Sequence, residues 1–403
     1  MSSPLLAPAA AGYRSVFAVR EFRAVFAAHL LSLLGLVVGE LALSVLVYQL
    51  TGSPLMSALA FALGFLPYAA GGTLLSAVAD RYPARRVLVV GNLLCATAAA
   101  ATALPGTPVP ALLALRCATA AIGPVLAGTR AATMGDILGE GDLFILGRSL
   151  IRIVSQGAQL AGFAAGGLLL TALAPRTALL ATAAGFLATA LLLRLGTRRR
   201  PGRAGEGAAL LKSSLSGARR LFADRRIRAL LLLSWLPPFF IVAPEALAAP
   251  YADAIGAGPV GLGLLMAGMP VGSIAGEVLA GSLLSPRARE RCVLPLAAVT
   301  LLPFLAYVLR PSLGWALLVV ALAGTGVAYT LGLDQWFIAA VPEELRGRAM
   351  TLQTAGVMTI QGLGMALAGA AAEFAPAHFV VAGTGALGTL AVGLAVRLVV
   401  RSR

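Results

Sequence analysis

Acidic and basic side chains are rare inside the long apolar stretches of this chain, and that scarcity makes the few that occur informative. Five stand out: Glu40, Arg116, Glu245, Glu277 and Asp334. A charge at mid-bilayer costs at least about 3 kcal/mol, so those retained face a cavity or a partner. Desolvation in an apolar cavity lets a carboxyl load and release a proton near neutral pH. Glu40 or Asp334, Glu40 ahead of Asp334, is the expected proton carrier. Glu40 and Arg116 lie at comparable depth, and a static ion pair between them is the competing reading. Interfacial solvation competes for Glu245, an interhelical hydrogen bond for Glu277, and pairing with a cytoplasmic arginine for Asp334. His29 reads as a packing residue and His378 as a loop residue. Gln156, Gln159, Gln353 and Gln361 suit a bound substrate and helix-to-helix hydrogen bonds equally.

No enzyme constellation accompanies these groups. The sequence has no P-loop, no G-x-S-x-G elbow, no H-E-x-x-H and only two histidines. Cys95, Cys117 and Cys292 fall on no metal-ligand spacing. Neither a cofactor nor a metal is expected.

Hydropathy sets the elements that must position the five groups. Of 403 residues 59% are hydrophobic and 12% charged, against about 25% charged in a soluble domain. The fold class expected is an all-α polytopic membrane protein, since backbone groups in hydrocarbon must be satisfied within a helix. About 20 apolar residues cross the ~30 Å core. That ruler predicts twelve spans: 24–50, 55–79, 87–104, 109–133, 145–173, 176–196, 229–250, 260–284, 293–309, 312–339, 350–373 and 376–400. The first is too long for a signal-peptide core and reads as retained.

The net charge of +15 is a topology signal rather than a nucleic-acid footprint. With both termini cytoplasmic, Arg176 and Arg310 fall on external loops and Arg116 within a span. The remaining basic residues fall on the cytoplasmic side. The expected organisation is a tail at 1–23, a six-helix bundle at 24–196, a linker with an amphipathic helix at 197–228, and a second bundle with a short tail at 229–403. The amphipathic part suits an anionic inner leaflet. The halves echo each other at an offset of about 200 residues: DRYPARR (80–86) with SPRARER (285–291), GRSL (147–150) with GRAM (347–350), AGFAAGG (161–167) with GLGMALAG (362–369). Such pairs mark parallel six-helix repeats.

Several stretches resemble the major facilitator superfamily. GGTLLSAVADRYPARR (71–86) is similar to its loop motif between helices 2 and 3, G-x-x-x-D-R-x-G-R-R. Asp80, Arg81, Arg85 and Arg86 keep the charged part, while Ser76 and Pro83 stand at or near the glycines. Arg116 in LALRCATAAIG is similar to an antiporter-associated motif built on R-x-x-x-G. AQLAGFAAGG resembles the helix 5 motif of drug–proton antiporters. Gly162, Gly166 and Gly167 match it; Ala158 and Phe163 replace a glycine and the proline. The opening FRAVFAAHLLSLLG and VPEELRGRAM resemble macrolide-type and enterobactin-type efflux proteins.

The resemblance implies two bundles rocking about a midplane site, with spans 1, 4, 7 and 10 lining the cavity. Glu40, Arg116, Glu245 and Asp334 would then lie where substrate passes. It also implies a cytoplasmic clasp, in which Asp80 faces the start of span 11 near Gly347 and Arg348, with Arg130 as a second partner. The expected function is proton-coupled export of an amphipathic or lipophilic small molecule from a bacterial cytoplasmic membrane. The proton motive force stands in for a cofactor. The expected partners are substrate, protons and lipid, with no nucleic acid, and the chain is expected to be a monomer. The alternatives are a dedicated exporter or importer of one metabolite such as a siderophore, and a non-transporting scaffold.

Overall fold

A computed structural model describes residues 13–74, 81–139, 142–200 and 221–402. A short helix α1 (Tyr13–Ala18) precedes the first crossing, α2 (Arg20–Thr51). The rest of the first half is α3 (Pro54–Phe65), α4 (Pro67–Leu74), α5 (Ala84–Ala103), α6 (Val109–Leu138), α7 (Asp142–Ala172) and α8 (Pro175–Gly196). The second half holds α9 (Arg225–Ile241), α10 (Ala243–Ala246), α11 (Ala248–Ala254), α12 (Gly258–Leu283) and α13 (Pro286–Val299). A 3-10 helix (Leu302–Leu309), α14 (Leu313–Gly326), α15 (Tyr329–Ala340), a short 3-10 turn (Glu343–Leu345), α16 (Arg346–Ala371) and α17 (Ala377–Arg401) complete it. Proline stands in the first turn of α3, α6, α8, α12 and α13, where its missing N–H leaves no bond unmade.

Among the described residues, eleven helical segments are long and apolar enough to cross a membrane. The sequence predicts twelve. The difference lies at 55–79, where Pro67 ends one helix and opens the next, giving α3 and α4 in place of one long helix. Residues 75–80 lie outside the described ones. Two later crossings are also broken. Pro237 and Pro238 lie inside α9, beyond which the chain continues as α10 and α11. The segment Leu313–Ala340 divides between α14 and α15 at Val327–Ala328.

Packing repeats with the sequence. In the first half α2 packs on α7 and α8, and α4 on α6; in the second, α9 packs on α16 and α17, and α12 on α14. Gly71 meets the backbone of Ala121, and about 200 residues on Gly272 meets the backbone of Ala321. A side chain at either glycine would keep these helices apart, so the close approach depends on its absence. The halves join most extensively through two equivalent contacts, α7 on α12 and α3 on α16.

One face carries the described ends of the chain, and we call it the terminal face; the opposite one is the far face. On the terminal face Glu21 accepts from Arg200 Nη1 and Nη2 (2.6 and 2.9 Å) and from the Arg198 N–H (2.8 Å), stitching α2 to the end of α8. On the far face Arg176 donates to Leu104 O and Arg310 donates to Ala254 O at 2.5 Å. Both satisfy carbonyls that a helix end leaves open, where a cation is favoured.

Candidate functional site

Arg116 of α6 forms an ion pair with Glu40 of α2, and its Nε donates to Ala60 O of α3 at 3.3 Å. Room for the guanidinium comes from Gly64, where a Cβ would collide with Arg116 Nη2. Arg116 is 7% exposed. Three helices of one bundle thus hold a neutralised pair, the arrangement the equal depth of the two residues allowed. Beside it lies a pocket of about 180 Å³ inside the first half, between α2, α5, α6 and α8, which Arg130 and His29 also reach. His29 Nε2 lies 2.9 Å from Ser155 Oγ, tying α2 to α7 as a packing residue would. Glu245 of α10 is in electrostatic reach of Glu40 across the interface between halves. Its carboxylate makes no hydrogen bond or ion pair among the described residues.

A second cavity, of about 420 Å³, lies between α9, α12, α15 and α16. Asp334 faces it from α15. Asp334 Oδ1 accepts from Gln353 Nε2 at 3.1 Å, and that nitrogen also donates to Ser234 Oγ at 3.1 Å. The Trp235 indole donates to Gln353 O at 3.1 Å, fixing α16 against α9. The break after α9 and the one between α14 and α15 border this space, with Pro237, Pro238 and Val327 on its wall. Among the described residues, no arginine, lysine or histidine lines it. The cytoplasmic arginine weighed as a partner for Asp334 is therefore replaced by Gln353, a neutral donor. Met269, Met350 and Met358 supply an adaptable apolar wall.

The other expected residues are dispersed. Glu277 is half-buried on α12, whose Gly268, Gly272 and Gly276 pack on Val320, Ala321 and Thr325 of α14. Gly162 and Gly166 pack on Val37, Val38 and Leu41 of α2, and Gly167 on Gly263 of α12. Gln361 lines the Asp334 cavity, whereas Gln156 and Gln159 are exposed. His378 is half-buried beside Phe379. Of the expected clasp, Asp80 lies outside the described residues, and Gly347 and Arg348 are described as backbone only. Arg81 is exposed, Arg85 half-buried, and Arg86 lies 5.5 Å from the Tyr82 ring centre. Ser234 joins this site without a sequence signal of its own, being one hydroxyl in an apolar run.

Residues 25–338 match the sequence profile of the Major Facilitator Superfamily. The chain belongs to this superfamily. It is a multi-span transporter, and the two-bundle packing described above is the fold that solved structures share with it. The peptide-family transporter PepTSo superposes with a TM-score of 0.75 at 13% identity, covering 95% of this chain and 98% of that one. The nucleoside transporter NupG gives 0.71 at 17%, covering 94% and 99%. A bacterial homolog of the human lysosomal transporter Spinster, inward-facing and occupied, gives 0.66 at 17%, covering 97% and 95%. Among curated proteins the sequence has no match.

Proposed function

We propose that this chain is a secondary active exporter of an amphipathic or lipophilic small molecule, coupled to proton antiport, with its terminal face cytoplasmic. The observation that carries this reading is Asp334: a carboxylate facing a 420 Å³ cavity whose described lining residues include no basic side chain. A drug-sized ligand needs about 300–1,000 Å³, with a few placed polar groups in an apolar wall. Asp334, Gln353 and Ser234 are those groups. An unneutralised carboxylate at this depth is stabilised by taking up a proton or a cation, and exchanging one for the other is antiport. Glu40 has Arg116 as its counter-ion, so the coupling role moves to Asp334. The two halves, 24–196 and 229–403, are the rocking bodies, joined by the linker at 197–228. The structural neighbours include proton-dependent oligopeptide transporters, which keeps proton coupling within the range of this fold.

The test is ethidium transport in inverted vesicles energised by a pH gradient. Asp334→Asn is expected to lower gradient-driven transport at least tenfold while leaving ethidium binding measurable. Undiminished transport by Asp334→Asn would sink the coupling role. Transport of a single metabolite with no ethidium transport by the wild type would replace the broad exporter by a dedicated carrier.

A further inference from the structure

On the far face the two halves meet at a carboxylate outside both cavities. Glu373 stands two residues beyond the end of α16, in the second half. Its Oε1 accepts from the Ser53 hydroxyl at 2.5 Å and from the Leu55 N–H at 3.0 Å. Both donors belong to the start of α3, in the first half, 320 and 318 residues away in sequence.

The geometry is that of a helix cap supplied by the opposite half. Ser53 is the N-cap of α3, and its Oγ accepts from the Met56 N–H at 3.1 Å. The same hydroxyl donates to Glu373, so it serves its own helix and the other half together. The Leu55 N–H is one of those that the first turn of a helix leaves without an internal partner. The positive end of the helix dipole adds to the attraction for a carboxylate. Gly52, at φ 63°, makes the left-handed turn that delivers Ser53 to this position.

Below this contact the halves close by backbone approach. An ideal Cβ at Gly369 would lie 2.5 Å from the Ala58 Cβ, and one at Gly362 would lie 2.7 Å from the Leu66 Cγ. At the equivalent corner, between α7 and α12, Gly167 and Gly263 are in backbone contact. The far face is therefore shut along both seams, and Glu373 pins one of them.

We propose that Glu373 is a positioning residue for transport: it latches the far face by capping α3 and releases when that face opens. This rests on the alternating-access reading above. Because Glu373 is exposed, water replaces both bonds as the halves part. The latch biases the equilibrium between states without contacting substrate. Two bonds to a charged acceptor shift such an equilibrium by about tenfold.

The test uses spin labels at Leu104→Cys and Ser312→Cys, on far-face loops of the first and second halves. Cys95, Cys117 and Cys292 are replaced by Ala, and the protein is held in nanodiscs. The wild type is expected to show mainly the shorter distance. Glu373→Ala should raise the ratio of long to short distances about tenfold. Glu373→Gln keeps an acceptor but loses the charge, so it should fall between. Ser53→Gly keeps an acceptable helix start and should move the ratio in the same direction. A purely structural cap would instead lower the melting temperature and leave the ratio alone, and that result overturns the latch. Two distances in the wild type with an unchanged ratio in Glu373→Ala overturn the latch but leave alternating access standing. A single distance in the wild type and in all variants overturns both.

Discussion

In hydrocarbon, a guanidinium with a carboxylate partner, a carbonyl acceptor and glycine-made space around it is held as part of the scaffold. Arg116 meets all three conditions through Glu40, Ala60 and Gly64. Breaking a buried pair by removing one member strands the other, at a cost of about 3–5 kcal/mol. Glu40→Gln is therefore expected to lower the melting temperature sharply, and Glu40→Gln with Arg116→Gln to recover most of the loss. Melting curves of the two variants decide it. A single variant that melts like the wild type yet loses gradient-driven transport would restore Glu40 as the proton carrier. The pair could be anticipated because two opposite charges at equal depth are each other's least costly solution. Asp334 could be placed in a crossing, but its neutral partner could not. Gln353 lies on a different helix, and a glutamine carries no charge that demands an answer. Glu373 was invisible for a related reason, since a carboxylate at a helix end looks solvated and its partners lie 320 and 318 residues away.

At the scale of elements, the crossings follow from apolar length, and most of them appear where about 20 apolar residues allow. What hydropathy does not carry is continuity. Proline marks the break between α3 and α4 and those after α9, but the split between α14 and α15 has no proline at Val327 or Ala328. Helix pairing was partly readable, because Gly268, Gly272 and Gly276 form a stripe at four-residue spacing. That stripe yields a controlled comparison. A Cβ at Gly272 would run into the Ala321 backbone, whereas nothing lies within 4 Å of one at Gly281 on the same helix. Overpacking of this kind typically costs about 1–3 kcal/mol. Gly272→Ala is expected to destabilise the folded protein by roughly that amount and Gly281→Ala to be silent. Equal melting temperatures for the two variants would mean that α12 and α14 do not pack this tightly in the bilayer.

For the whole molecule, acidity is a handle on the far face. Hydrogen bonds from Ser53 and from the Leu55 N–H hold the Glu373 carboxyl below the usual carboxylate range, against a small opposing effect of burial. A carboxyl whose pKa is depressed in the latched state favours that state above its ordinary pKa. The preference is lost as pH falls through the depressed value. The difference in far-face distance ratio between wild type and Glu373→Ala should therefore hold constant from pH 8 to about 5 and shrink only as the pH falls below the ordinary glutamate value of about 4.3. A difference that already vanishes near pH 6 would assign the control to another group.

The pattern of packing also orders the birth of the protein. α2 packs on α7 and α8, so every partner the first bundle needs within itself has been synthesised by Gly196. The main partners of α3 and α7 across the seam, α16 and α12, leave the ribosome later. Until then the edge of α3 that will meet Gly362 and Gly369, and the Gly167 corner of α7 that will meet Gly263, lack these partners.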